Sequence, residues 1–428
     1  MKILVFTVTA WNSKVGANTW ESLLGQYSNN DIASICIRDE VPDSEVCSRY
    51  FTISENRIIK SILNRKIATG KEVLAMSPGE SDVSQELLVH NERYRKMKKH
   101  RRYSMLMARE LIWWLGKWRT AELDDFLDSF KPDVILHSME GYIHLNRIIS
   151  YCIKRTGATA VGYIWDDNFT YKQSKKTGYK IYRFFQRKSL KKLAKDTKAF
   201  FAISSMTKKE ADDFFGIDCK ILTKPLGRVS VVNYNEICKP IRILYTGNLL
   251  IGRDKSLLRV VKAIKERFSE DFILDVYTQT TLEEKRIKEI ECGGICRIHS
   301  SIPQSEVWEK QKEADVLIFL EDIDGQDAHT ARLSFSTKIT DYLSSGKCIF
   351  AVGCADTAPI QYFLETDAAA VAVSDAEIYE RLSEMAKNPA ILIDYAERSR
   401  EAGIKNHSEE KVLNTFNETI RAVLDLDT

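Results

Sequence analysis

Short apolar runs bounded by polar turns recur along this chain, and most are followed by stretches whose apolar residues repeat at helical spacing. Unbroken runs of this kind predict strands covered on both faces, as in a parallel sheet. In the first half they fall at residues 3–9, 31–37, 49–53, 134–138, 159–165 and 198–204. In the second half they fall at 242–247, 272–278, 295–300, 315–320, 349–353 and 368–373. Helical periodicity fills most of the intervals: 20–26, most of 56–118, 140–157, 172–198 and 206–216, then 255–268, 282–291, 302–314, 375–387, 389–402 and 409–424. Strand–helix alternation in both halves predicts an α/β chain of two doubly wound, Rossmann-like domains facing each other across a cleft. The expected boundaries are a first domain at 1–228, a linker at 229–240 that contains Pro240, a second domain at 241–406, and a closing helix at 407–428.

One stretch concentrates polar groups where such a sheet binds ligands. The apolar run 315–320 leads into a polar loop, and SFSTKITDYLSSGK at 334–347 then reads as a capped helix with a glycine stop. Ser334 and Ser336 are capping hydroxyls, Ile339, Tyr342 and Leu343 form one apolar stripe, and Gly346 ends the helix. Lys338 and Asp341, three apart, share a face. A strand end, a helix start, a cation and a carboxylate together suit a nucleotide, with amides and Lys338 for phosphate and Asp341 for ribose hydroxyls.

Charge changes the picture more than composition does. The chain has 428 residues, 44% hydrophobic, with a net charge of only +3. Two segments break that balance. Residues 93–119 carry ten Lys/Arg against Glu110 alone, and 172–198 carry eleven against Asp196 alone, which leaves the remainder at −16. Both segments interleave aromatic residues, the signature of a helix lying on an acidic membrane surface. Lys98, Lys99, Arg101, Arg102, Trp113, Trp114, Lys188, Lys191 and Lys192 are the expected membrane-facing residues, and a solvated helix with its aromatics in the core is the alternative. No helix-turn-helix, zinc-finger or RNA-binding signature is present, so nucleic acid is not the expected partner. There is no secretory signal, no run of about 20 apolar residues, and no C-x-x-C pair among nine cysteines. A reduced, cytoplasmic protein without a metal site or resident cofactor is expected, peripheral on the inner face of the cell membrane.

Polar residues at the predicted strand ends form two sets. Gly16, His137, Glu140, Asp166 and Asp167 belong to the first half, rich in carboxylates and suited to acid–base chemistry or sugar hydroxyls. Asn248, Arg253, Lys255, Lys338 and Asp341 belong to the second, with three cations near helix starts, as a diphosphate requires. His329 and Arg332 precede the key helix as further phosphate or sugar contacts, and Glu321 and Asp322 end the strand before it. Each has a plainer reading: a satisfied core histidine at His137, a helix cap at Asp166–Asp167–Asn168, a solvated loop at Arg253 and Lys255, and a surface pair at Lys338 and Asp341.

YTGN-x-x-x-GR-x-K-x-L at 245–257 and STKITDYLSSGK at 336–347 resemble the retaining nucleotide-sugar glycosyltransferases of family 4. More narrowly, with WDD-x-x-TYK at 165–172 and AIS-x-M at 202–206, the chain is similar to bacterial members that build capsular and other surface polysaccharides. The resemblance implies a GT-B fold with the nucleotide mainly on the second domain. It implies diphosphate contacts from Arg253 and Lys255, a ribose contact from Asp341, a diphosphate or acceptor loop at Gly16, and a catalytic-site acid at Asp166 or Asp167. The chain departs from the family where the first acid of E-x7-E falls on Leu333, and where Asn248 rather than Arg follows Gly247. The implied activity is metal-independent hexosyl transfer, with retention, from a nucleoside-diphosphate sugar, expected to be a UDP-sugar, to a lipid-linked or glycan acceptor. Alternatives are an epimerase or hydrolase of the same fold, and a non-catalytic membrane-docked partner of a polysaccharide assembly complex.

Overall fold

In the computed structural model, which describes residues 1–11, 19–38, 42–74, 103–234 and 237–425, the chain divides into two units. The first takes residues 1–203, 208–222 and 414–428, and the second takes 204–207 and 223–413.

Eight strands build the first unit's sheet: β1 (Ile3–Thr7), β2 (Ile32–Cys36), β3 (Arg49–Ile53), β4 (Gly70–Leu74), β5 (Val134–Ser138), β6 (Thr159–Ile164), β7 (Ala199–Ala202) and β8 (Lys220–Ile221). They lie in the order β4-β3-β2-β1-β5-β6-β7-β8, parallel except for the antiparallel edge pair β3/β4. The order reverses between β1 and β5, where Ile3 lies opposite Val134. The helices are α1 (Thr19–Leu24), α2 (Glu55–Leu63), α3 (Tyr103–Leu115), α4 (Ala121–Phe130), α5 (Ile143–Thr156), α6 (Thr177–Lys195) and α7 (Ser205–Phe215). The side chain of Ser54 caps α2 and that of Thr120 caps α4, while Gly157 ends α5 in the left-handed region. Strands β1, β2 and β5 are buried at every position, which explains their unbroken apolar runs.

The second unit repeats the plan with β9 (Ile241–Thr246), β10 (Phe272–Thr278), β11 (Cys296–Ser300), β12 (Val316–Leu320), β13 (Cys348–Val352) and β14 (Ala370–Ala372). Its helices are α8 (Arg253–Arg267), α9 (Glu284–Glu291), α10 (Gln304–Glu313), α11 (Gln326–Thr330), α12 (Lys338–Ser344), α13 (Ala358–Thr366), α14 (Asp375–Lys387) and α15 (Ile391–His407). The order β11-β10-β9-β12-β13-β14 is parallel throughout and reverses between β9 and β12. Leu257, Val260, Val261 and Ile264 of α8 pack with Ile243, Val316 and Ile318 of the sheet. A last helix, α16 (Glu409–Val423), starts in the second unit and ends in the first. There Phe416 stacks on Phe201 and Asn417 accepts from the Tyr27 hydroxyl.

Three local expectations change. The segment 56–118 is mainly helical among its described residues, but it also contains the edge strand Gly70–Leu74, whose exposed Lys71 and Glu72 hide strand periodicity. Two helices, Gln326–Thr330 and Ala358–Thr366, arise in segments without an expected element. Residues 223–234 and 237–240 group with the second unit, where Tyr234 donates to Asp315 O and accepts from Cys348 N. Among the described residues no helix is long and apolar enough to cross a membrane.

Candidate functional site

A parallel sheet leaves a crevice at the carboxyl ends of the strands where its order reverses. In the second unit that point lies between β9 and β12, and the sequence delivers cations to it. Gly247 turns the chain out of β9 at φ +140°, a conformation that suits glycine. A Cβ there would collide with Lys338 Nζ, so the missing side chain makes room for that lysine. The Lys338 ammonium lies 4.6 Å from the centroid of the Tyr245 ring and 3.4 Å from its hydroxyl, which itself donates to Asn248 O.

Arg253 opens α8 behind this turn. Its guanidinium donates to Leu320 O (3.2 Å), Asn248 Oδ1 (2.8 Å) and Glu321 Oε1 (2.9 Å). It thereby ties the loop after β9 to the end of β12. Burial opposes its charge, yet the Glu321 carboxylate holds the guanidinium protonated. Lys338 has no such partner. Burial first, and the Arg253 charge second, lower its pKa from 10.5 to about 8, against the opposing pull of Glu321 and Asp341. Two cations held close with incomplete compensation form a site whose energy falls when an anion enters.

The other expected donor residues are distributed differently. Lys255, half exposed on α8, reaches Asp327 of α11 (3.2 Å) and lies 3.9 Å from buried Asp322. Asp341 pairs with Lys224 at 3.1 Å. His329 is exposed on α11. Arg332 is enclosed, with Asp356 at 3.5 Å. Leu333, where the family acid is missing, is fully buried, and its carbonyl accepts from Thr207 Oγ1. The structure thus brings Asn248, Arg253 and Lys338 to one place, with Lys255 a short way along α8. Tyr245 and Gly247 complete the set. Sequence reading included them in the YTGN motif at 245–248 but did not name them as site residues.

In the first unit, the region after β1 that contains Gly16 lies outside the described residues, as do Lys98, Lys99, Arg101 and Arg102. At the end of β5, His137 is wholly buried, with Nε2 3.1 Å from Thr197 Oγ1 and Nδ1 3.4 Å from Ser138 O. Burial lowers its pKa to about 4. It is a packed, neutral core histidine, the plainer of its two readings.

Glu140, two residues past the strand, is partly buried and accepts from Ser138 Oγ. Burial, then the neighbouring Asp166 charge, raises its pKa to about 7. The adjacent aspartates part company. Asp166 is exposed, whereas buried Asp167 accepts from both the backbone N–H and the hydroxyl of Thr170 and so closes the turn after β6. Of the expected membrane-facing aromatics, Trp113 is instead a core residue stacked on His144 (4.4 Å between centroids, 14° between planes). Trp114, Lys188, Lys191 and Lys192 are exposed.

No protein-family profile and no curated protein matches the sequence. Solved structures do match along its length. The Anabaena protein Alr3699/HepE in complex with UDP superposes with a TM-score of 0.64 at 8% identity, covering 99% of this chain and 100% of that one. The lipopolysaccharide outer core galactosyltransferase WaaB gives 0.58 at 12%, covering 99% of each chain. A glycosyltransferase from Rickettsia africae gives 0.56 at 11%, covering 99% and 98%. The fold is the two-domain Rossmann-like α/β architecture of GT-B glycosyltransferases.

Proposed function

We propose that the chain is a glycosyltransferase that takes a hexosyl group from a UDP-sugar bound to its second unit. The observation that carries this reading is the cation pair Arg253 and Lys338 at the β9–β12 crevice, undercompensated in the free protein. Departure of a nucleoside diphosphate places negative charge on the β-phosphate. Lys338, the remaining donors of Arg253, Lys255 and the α8 amides stabilise that charge without a metal. Asp341 takes the ribose hydroxyls once it leaves Lys224. His329 and Arg332 lie in the segment that reads the sugar in place of the acid missing at Leu333. Asp166 or Asp167 is the candidate acid of the first unit, and Asp167 also closes the turn to Thr170.

Support for the donor class comes from Alr3699/HepE, solved with UDP and with UDP-glucose. Support for a surface-glycan acceptor comes from WaaB, an outer core galactosyltransferase. The reading extends to retention of anomeric configuration and to a lipid-linked or glycan acceptor in bacterial surface polysaccharide or capsule synthesis. It also places the enzyme peripherally on the cytoplasmic face of the membrane. The test is a thermal-shift panel of nucleotides, followed by the donor sugars of the base that binds. UDP is expected to raise the melting temperature through mass action. No shift with any nucleoside diphosphate would overturn the reading in favour of a scaffold, and product formed without acceptor would mark an epimerase or hydrolase.

A further inference from the structure

Two neighbouring helices of the first unit bury several polar side chains and leave large apolar ones exposed. On α3, Arg109 and Glu110 face inward. Arg109 binds the Glu55 carboxylate of α2 through Nε and Nη2, and its guanidinium lies over Tyr142. Glu110 accepts from the Ile143 and His144 amides at the start of α5 and from His144 Nδ1. On α6, buried Arg183 donates to Asp167 O and Gln173 Oε1, and buried Gln186 donates to Gly141 O. These bonds fix the rotation of both helices. Among the residues left facing water are Leu111 and Trp114 on α3, and Ile181 and Phe184 on α6, each more than half exposed. Spacings of three between Leu111 and Trp114, and between Ile181 and Phe184, put each pair on one stripe. Helix α3 packs against α6 and against α2, which exposes Ile59 and Leu63.

An outward apolar face of this kind marks a contact surface. The charges around it select the occupant. Helix α6 holds no acidic residue, its Lys188 continues the Ile181–Phe184 stripe one turn on, and Lys192 is exposed beyond it. The single acid of α3, Glu110, points inward. Two copies of the chain meeting through this face would set lysine against lysine, whereas anionic headgroups complement it.

We propose that α3 and α6 form a monotopic docking face that inserts Leu111, Trp114, Ile181 and Phe184 into the headgroup–acyl boundary of an anionic bilayer. Lys188 and Lys192 then lie at the level of the lipid phosphates. This deepens the membrane part of the reading above by naming the apolar side chains that insert.

The experiment is vesicle flotation of the full chain without nucleotide, so its failure leaves the transferase reading intact. Vesicles of phosphatidylcholine alone are compared with vesicles that also contain phosphatidylglycerol. Binding is expected to the anionic vesicles, weakened but not abolished by high salt. Trp114→Ser with Phe184→Ser is expected to lower partitioning about 30-fold or more, and Lys188→Gln with Lys192→Gln about 10-fold or more. Unfolding curves should not move, because all four side chains are exposed. Lipids brominated near the glycerol should quench tryptophan emission in the parent but less in Trp114→Phe, which still binds. Absence of flotation with both vesicle types would overturn the proposal. So would binding that the serine pair leaves unchanged, or a dimer in sedimentation that the serine pair dissociates.

Discussion

Replacing Lys338 with methionine removes a charge while keeping a flexible, apolar stem. The folded protein holds this lysine at a pKa of about 8 against 10.5 for the free group, through burial and the nearby Arg253. That difference corresponds to at most about 3 kcal/mol of disfavoured charge in the folded state. Loss of the contact with the Tyr245 ring returns about 1 kcal/mol, so Lys338→Met should stabilise the second unit by about 2 kcal/mol at pH 7.

The sign follows from proton linkage. Below pH 8 both states carry the proton and the penalty is complete. Between about 8 and 10.5 the folded state sheds it first, and above 10.5 nothing remains. Urea unfolding at pH 7 and pH 10 should therefore show a large gain for the variant at the lower pH and a small one at the higher. The same variant should lose most of the stabilisation that UDP confers on the parent, because the diphosphate then lacks its undercompensated cation. A less stable variant at pH 7, or a variant that UDP stabilises as well as it does the parent, would refute the reasoning.

Four further outcomes follow from neighbouring geometry. Gly247→Ala puts a Cβ onto Lys338 Nζ at a φ of +140°, so nucleotide affinity should fall at least about tenfold and stability by about 1–3 kcal/mol, measured by calorimetry. Arg253→Ala leaves the Glu321 carboxylate buried and unpaired, so it should both abolish transfer and destabilise the fold by about 3 kcal/mol in urea unfolding. Asp167→Ala should lower stability by about 1–3 kcal/mol through loss of the Thr170 bonds, while Asp166→Asn should keep stability and reduce transfer. Glu140, raised to about 7 by burial and Asp166, favours the folded state at low pH and loses that contribution as pH rises from 4.5 to about 7. Glu140→Gln should therefore stabilise the chain at pH 8 and have little effect at pH 4.5.

Much of the second unit was legible because its strands are buried on both faces and so appear as unbroken apolar runs, as at Val316–Leu320. Cations at strand ends were legible for the same reason, since a run followed by Arg253 or Lys338 can deliver it only to the carboxyl edge. The edge strand Gly70–Leu74 was hidden by Lys71 and Glu72, which face solvent. The aspartate pair at 166–167 was ambiguous because adjacent residues at a strand end point apart, and only the fold shows that Asp167 closes the turn to Thr170.

Most of the strand–helix alternation, the doubly wound class and the two basic segments were determined by the sequence alone, because periodicity and charge are local properties. Partnership was decided by tertiary structure. It assigned Arg253 to Glu321 and left Lys338 short of a counter-charge, buried Trp113 on His144, and turned Trp114 outward. The helical repeat shows which residues share a face. Which face meets the core depends on what lies opposite, and on α3 and α6 Arg109, Glu110 and Arg183 share the inner face with Trp113, Tyr182 and Leu190 while Trp114 and Phe184 stay outside.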